Sequence, residues 1–347
     1  MRFNKKSNKV LNAEVCDATG DATCTIASNI KSFYLRKAMK ALVYKSTGSW
    51  YVVKTNAGKV FNARIKGVLK IDGITSTNPI AVGDEVEIEI ENELENTATI
   101  SEILQRRNYV ARVSPHNKHQ HHIVASNLDQ SILFATLKDP KTSQGFIDRF
   151  LVACEMYHVP AIIVFNKADI YKKKENEKFE LLKSIYETIG YKVVLASVIR
   201  HEGVEEVKEL LKDKTTLLSG HSGVGKSTLI NNIFPELDLK ILEVSGWSGK
   251  GMHSTTFAEM FDLPFGGKII DTPGIRELGL VDLKKEELSG YFPEMRKLVN
   301  DCQFNNCKHF NEPGCAVKAA VNAGSISEER YISYLTIMET MGENSWS

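Results

Sequence analysis

Apolar and polar residues alternate strictly over two early stretches of the chain. Phe61, Ala63 and Ile65 are interleaved with Asn62, Arg64 and Lys66, and Val86, Ile88 and Ile90 with Glu85, Glu87 and Glu89. A period of two puts one face of a strand in a core and the other in water. Turn residues punctuate the pattern at Asn56-Ala57-Gly58 and Val82-Gly83-Asp84. About five such strands between Ala41 and Leu104 predict a small β-barrel, with an oligonucleotide-binding (OB) fold preferred over an SH3-like one.

From Gln130 the texture changes. Unbroken apolar runs at 132–137, 161–165, 193–196, 216–218 and 268–270 alternate with helical periods such as Ile147, Phe150, Leu151 and Cys154. Buried strands separated by amphipathic helices predict a parallel sheet covered on both faces. Beyond about Val281 no strand pattern remains, and the tail reads as helices around a Cys/His cluster. Residues 1–38 carry neither period; a disordered extension is expected there, or a translation start at Met39. The expected organisation is therefore an extension (1–38), a barrel (39–108), an α/β core (109–281) and a helical metal-binding region (282–347).

Composition adds limits rather than identity. With 347 residues, 42% hydrophobic and 25% charged, the chain is of ordinary globular type, and its length suits about two or three domains. Lys+Arg number 44 against 43 Asp+Glu, so any nucleic-acid contact must rest on local patches. No apolar run nears the roughly 18 residues of a membrane span, and 1–38 lack the apolar segment of a secretory signal. Three of six cysteines crowd beside His309, which points to metal in a reducing cytoplasm. Cys302, Cys307, His309 and Cys315 offer three thiolates and an imidazole, a closed tetrahedral set for structural Zn²⁺.

The strongest chemical signal is Gly220-His221-Ser222-Gly223-Val224-Gly225-Lys226-Ser227, a phosphate-binding loop between an apolar strand and a helix. Its glycines allow backbone N–H groups from Gly220 to Thr228 to wrap phosphates. Lys226 would neutralise the β- and γ-phosphates, and the Ser227 hydroxyl would bind Mg²⁺. Asp271-Thr272-Pro273-Gly274 follows another apolar strand; Asp271 suits Mg²⁺ through water and the Gly274 N–H the γ-phosphate.

Asn166-Lys167-Ala168-Asp169 ends a strand as well. The Asp169 carboxylate can accept from both guanine N1–H and N2–H₂, donors that adenine lacks. Asn166 would tie this loop to the phosphate loop and the base, the Lys167 stem would cover the ring face, and the stretch Ala196-Ser197-Val198 would offer a backbone N–H to guanine O6. These base motifs precede the phosphate loop, the reverse of the usual GTPase order, which is the mark of a circular permutation.

On these residues the sequence resembles the RsgA (YjeQ/YloQ) family of small-ribosomal-subunit biogenesis GTPases. The resemblance extends to Gly249-Lys250-Gly251-Met252-His253-Ser254-Thr255-Thr256, to the run Asp271 through Leu280, and to the Cys/His spacing. Met252 and Ser254 stand where the family often has Arg and Thr. The resemblance implies an OB barrel, a permuted GTPase core and a C-terminal zinc domain. It also implies weak GTP hydrolysis, giving GDP and phosphate, stimulated by the small (30S) subunit late in its maturation, with rRNA as a partner. Assembly factors are further candidate partners, and a monomer is expected.

Thr256, or its neighbour Thr255, is the expected switch residue on Mg²⁺ and γ-phosphate. Ile275 stands where other GTPases carry a water-orienting Gln, so intrinsic hydrolysis should be slow; His253 is the candidate replacement within the chain. The basic, His-rich stretch from His116 to His122 reads as a polar loop facing RNA or solvent. Two other readings compete: a regulatory GTPase that signals to a protein partner, and a zinc-containing RNA-binding protein whose nucleotide is structural. The order of motifs also suggests that phosphate state passes from Gly274 through Leu280 to the zinc region.

Overall fold

The computed structural model describes residues 38–66, 79–113, 121–237, 258–272, 278–281 and 283–343. Five strands form the barrel: β1 (Met39–Ser46), β2 (Tyr51–Thr55), β3 (Val60–Ile65), β4 (Glu85–Asn92) and β5 (Thr97–Ile103). Their order is β1-β2-β3-β5-β4, and β4 returns to pair with β1, which closes the sheet. The alternation decides which residues face inward: Phe61 and Ala63, with Val86 and Ile88, are buried beside Val43, Tyr51, Val53 and Ile100. Their polar neighbours Asn62 and Arg64 face out.

A hairpin of β6 (Tyr109–Val113) and β7 (His121–Ser126) follows, antiparallel and separate from the main sheet. The stretch read as a loop is thus partly strand. His121 and His122 open β7, half-buried opposite Val113 and Arg112, while 114–120 lie outside the described residues. Burial, and next the charge of Arg112, hold His122 below the ordinary imidazole range, so it adds no positive charge at neutral pH.

The α/β core comprises β8 (Gln130–Ala135), α1 (Gln144–Met156), β9 (Ala161–Phe165), α2 (Lys173–Thr188), β10 (Lys192–Leu195), α3 (Val204–Leu211), β11 (Thr215–Gly220), α4 (Lys226–Ile233), β12 (Glu259–Asp262) and β13 (Lys268–Asp271). All five apolar runs are strands. They lie β10-β9-β8-β11-β13, each pair parallel, with β12 antiparallel at the end. Apolar residues bury both faces, as continuous apolar strands require. Helix α1 starts at Ser143, whose hydroxyl accepts from Phe146 N–H, and it buries Ile147, Phe150, Leu151 and Cys154.

Two joints connect barrel and core. Strand β12 pairs with β1 at Lys45↔Glu259, making one 11-stranded sheet, and Tyr44 and Lys54 both reach Asp262 at 2.6 Å. Behind the barrel, fully buried Asp84 accepts from Arg106, from Ser126 Oγ at 2.6 Å and from Ala81 N–H at 2.8 Å. A buried carboxylate persists only with such saturation of its oxygens.

After Val281 the described residues form no strand, and their α-helices are α5 (Pro293–Arg296), α6 (Ala316–Asn322) and α7 (Glu328–Glu343). Leu288, Phe292, Met295, Val317, Tyr334 and Ile337 form their core together with Val152 of α1. Arg330 of α7 is buried among apolar residues, paired with Asp148 of α1 at 2.8 Å and bidentate to Glu294 of α5 at 2.8 and 3.1 Å.

Candidate phosphate, base and Cys/His sites

Parallel strands present their carboxyl ends along one edge of the sheet, and the motif residues gather there. Gly220 ends β11, and Gly225 caps α4 with φ of 81°. Val224 is fully buried, which pins the middle of the loop. On the neighbouring strand Asp271 pairs in register with Leu218, and its carboxylate meets Lys226 Nζ at 2.5 Å. The two groups assigned to phosphate and cation chemistry are therefore in direct contact.

The base motif follows β9. Asn166 Nδ2 donates to the Val224 carbonyl at 2.9 Å. A Cβ on Gly225 would lie 2.6 Å from that nitrogen and 3.7 Å from Lys167 Cε, so only glycine admits the approach of the two motifs. Lys167 adopts a left-handed conformation with φ of 63°, and its Nζ donates to the Asp139 carbonyl at 2.6 Å. Ser222, Gly223, Ser227 and Thr228 lie on the same loop and first helical turn.

Ser197 sits beside Asp169 and contacts it through its side chain. Its backbone N–H donates to the Glu202 carbonyl at 2.9 Å, and its hydroxyl donates to Asp169 Oδ1 at 2.7 Å. A short turn takes up this N–H, and the side chain orients the carboxylate.

Two residues that sequence reasoning passed over complete this arrangement. Burial pushes the Tyr171 hydroxyl up to about 12, so it stays protonated, donating to Asn166 O at 2.8 Å and accepting from Leu137 N–H at 3.0 Å. Arg200 Nη2 donates to the Asp169 carbonyl at 3.2 Å. Tyr171 was visible only as a helix-flanking aromatic, and Arg200 as an ordinary loop charge. His253, Thr255, Thr256, Gly274 and Ile275 lie outside the described residues.

In the C-terminal region, ligand atoms of Cys302, Cys307, His309 and Cys315 all lie within 4.8 Å of one another. His309 Nδ1 is 3.6 Å from Cys302 Sγ and 3.4 Å from Cys315 Sγ. Bond lengths of about 2.3 Å to sulfur and 2.0 Å to nitrogen place such ligands about 3.5 Å apart around tetrahedral zinc, so the donor set fits. Burial holds His309 below the ordinary imidazole range, leaving it in the neutral ligating form. The Glu312 carboxylate accepts from the N–H groups of Lys308, Phe310 and Asn311 and fixes the loop between ligands. Tyr331 and Tyr334 of α7 donate to the His309 and Lys308 carbonyls at 2.5 and 2.6 Å.

A sheet with its phosphate loop on a central strand, its base motif on β9 and chain order rotated relative to spatial order is that of a circularly permuted P-loop GTPase. Family comparison agrees. A model of the RsgA GTPase matches residues 103–281, and one of the RsgA N-terminal domain matches 40–100. A Flavobacterium psychrophilum protein named small ribosomal subunit biogenesis GTPase RsgA is 51% identical over 302 residues, 87% of this chain and 93% of the relative. One of the same name from Bacteroides fragilis is 50% identical over 308 residues, 89% and 99% of the two chains. The crystal structure of YjeQ from Thermotoga maritima superposes with a TM-score of 0.70 at 32% identity, over 87% of this chain and 98% of that one. YloQ, described as a circularly permuted GTPase, gives 0.67 at 27% identity, over 90% and 99%. The chain belongs to the RsgA family of GTPases.

Proposed function

We propose that this chain hydrolyses GTP to GDP and phosphate during late maturation of the small (30S) ribosomal subunit, binding that subunit and its rRNA in the cytoplasm. The observation that carries the nucleotide reading is the Asn166–Val224 hydrogen bond, which joins a guanine-type motif to a phosphate loop. The names of the relatives support the ribosomal destination, and they do not favour a regulatory GTPase with a protein partner. No helix among the described residues is long and apolar enough to cross a membrane.

In this reading Asp169, held by Ser197 and Arg200, pairs with the guanine edge, and Lys167 covers the ring. Lys226 takes β- and γ-phosphate oxygens, so phosphate competes with Asp271 for its ammonium. Ser227 and Asp271 would hold Mg²⁺, which neutralises charge on the transferred phosphoryl group. We assign Thr256 to the cation and γ-phosphate, Gly274 N–H to the γ-phosphate and His253 to the attacking water. Cys302, Cys307, His309 and Cys315 would hold one structural Zn²⁺, and the proposed boundaries are 39–108, 109–281 and 282–347 for the barrel, GTPase and zinc domains.

The reading is tested by sedimentation with purified 30S subunits. Co-sedimentation with a non-hydrolysable GTP analogue, and release with GDP, is expected. Equal sedimentation in both states, or none, would contradict it.

A further inference from the structure

Side-chain contacts run from the phosphate loop to the Cys/His cluster without following the chain. At one end the His221 ring lies on the Phe146 ring, with centroids 3.7 Å apart and planes 31° from parallel. Phe146 belongs to the first turn of α1. Asp148, two residues on, accepts from Arg330 Nη1 and from Tyr186 Oη, both at 2.8 Å. Arg330 stands in the first turn of α7, and the next residue, Tyr331, donates to the His309 carbonyl at 2.5 Å.

Each link restricts the next. The Asp148 and Arg330 side chains are 0% and 1% exposed, so neither can leave the other without stranding a buried charge. The first turns of α1 and α7 are thereby fixed to one another. The cluster fixes the His309 carbonyl, that carbonyl fixes Tyr331, and Phe146 at the opposite end supports an imidazole inside the phosphate loop.

We infer that Tyr331 and Phe146 are positioning residues for nucleotide binding, through which the C-terminal Cys/His unit braces the phosphate loop by way of α7 and α1. The inference rests on the nucleotide reading of that loop. It also offers a different route from the one suggested by chain order: the residues after the D-T-P-G motif are tied to β6 and α1, Gly279 N–H donating to Ala111 O at 3.0 Å and Tyr157 Oη donating to Gly279 O at 3.1 Å.

The test uses the full chain as wild type, Tyr331→Phe, Phe146→Leu and the double variant. Binding and dissociation of a fluorescent GDP are measured beside the thermal midpoint of each nucleotide-free protein. Each single change should weaken binding about threefold, and the double change should weaken it no further, because residues in one connected network are not additive. Phe146→Tyr, which keeps the ring, should retain wild-type affinity. Effects that multiply, or affinities that stay at wild type while the thermal midpoint falls, would overturn the inference and leave the GTPase reading intact. A wild-type chain that does not bind GDP would overturn both.

Discussion

The side-chain amide of Asn166 donates to the main-chain carbonyl of Val224 across 2.9 Å, and it stands beside the space that a Cβ at position 225 would fill. One hydrogen bond therefore joins the loop after β9 to the loop after β11, and the geometry depends on a missing side chain between them.

Gly225→Ala should lower guanine-nucleotide affinity by roughly tenfold or more, since the new methyl group displaces Asn166 and the residue must keep a left-handed backbone. Gly48→Ala is the control. Its φ is also positive, at 88°, but nothing lies within 4 Å of the added atom, so it should cost stability alone. Isothermal titration with GDP separates the two outcomes.

Asp169→Asn keeps an acceptor for the Ser197 hydroxyl, now 2.7 Å away, but replaces the second oxygen with a donor. Guanine N2–H₂ then faces a donor, whereas the oxygen at the same position of xanthine is welcomed. Preference should move from GTP toward XTP in a competition assay. Retained GTP selectivity would show that another residue reads the base.

Arg330→Met should destabilise the protein by about 3–5 kcal/mol, because Asp148 and Glu294 would be left as buried charges. Desolvation already pushes the Asp148 carboxyl upward, and the charge of Arg330 is the chief influence opposing it. Adding Asp148→Asn and Glu294→Gln to Arg330→Met should restore part of the loss. Urea denaturation followed by circular dichroism measures both steps.

Cys315→Ser removes a thiol from the cluster and the sulfur that accepts from Lys318 N–H at 3.4 Å at the start of α6. The purified variant should contain less than one zinc per chain, and its thermal midpoint should fall by roughly 5 °C. Unchanged metal content by atomic emission would contradict the assignment of this residue as a ligand.

Much of this was legible in the sequence, and the reasons differ from place to place. The alternation around Phe61 and Val86, the runs of β8 to β13 and the helical spacing around Ile147 reflect periods of the backbone itself. The phosphate and base motifs were equally visible because their chemistry needs fixed local spacing. Contacts between distant segments were not. Arg330 and Asp148 lie 182 positions apart, and each alone reads as a solvated charge on a helix. The Ser197–Glu202 bridge was hidden for a related reason: it depends on Glu202 folding back beside Ser197. The hairpin of β6 and β7 escaped notice because its histidines imitate a polar loop, although β7 then buries Ile123 through Ser126 consecutively.

The central claim is that the small ribosomal subunit enables His253 to position the attacking water, a task for which Ile275 offers no suitable side chain. The direct measurement is the initial rate of phosphate release from GTP, with and without purified 30S subunits at saturating Mg²⁺. A slow intrinsic rate that rises at least about tenfold with 30S subunits, and does not rise with 50S subunits, is predicted. An intrinsic rate that is already fast, or one indifferent to 30S subunits, would contradict it.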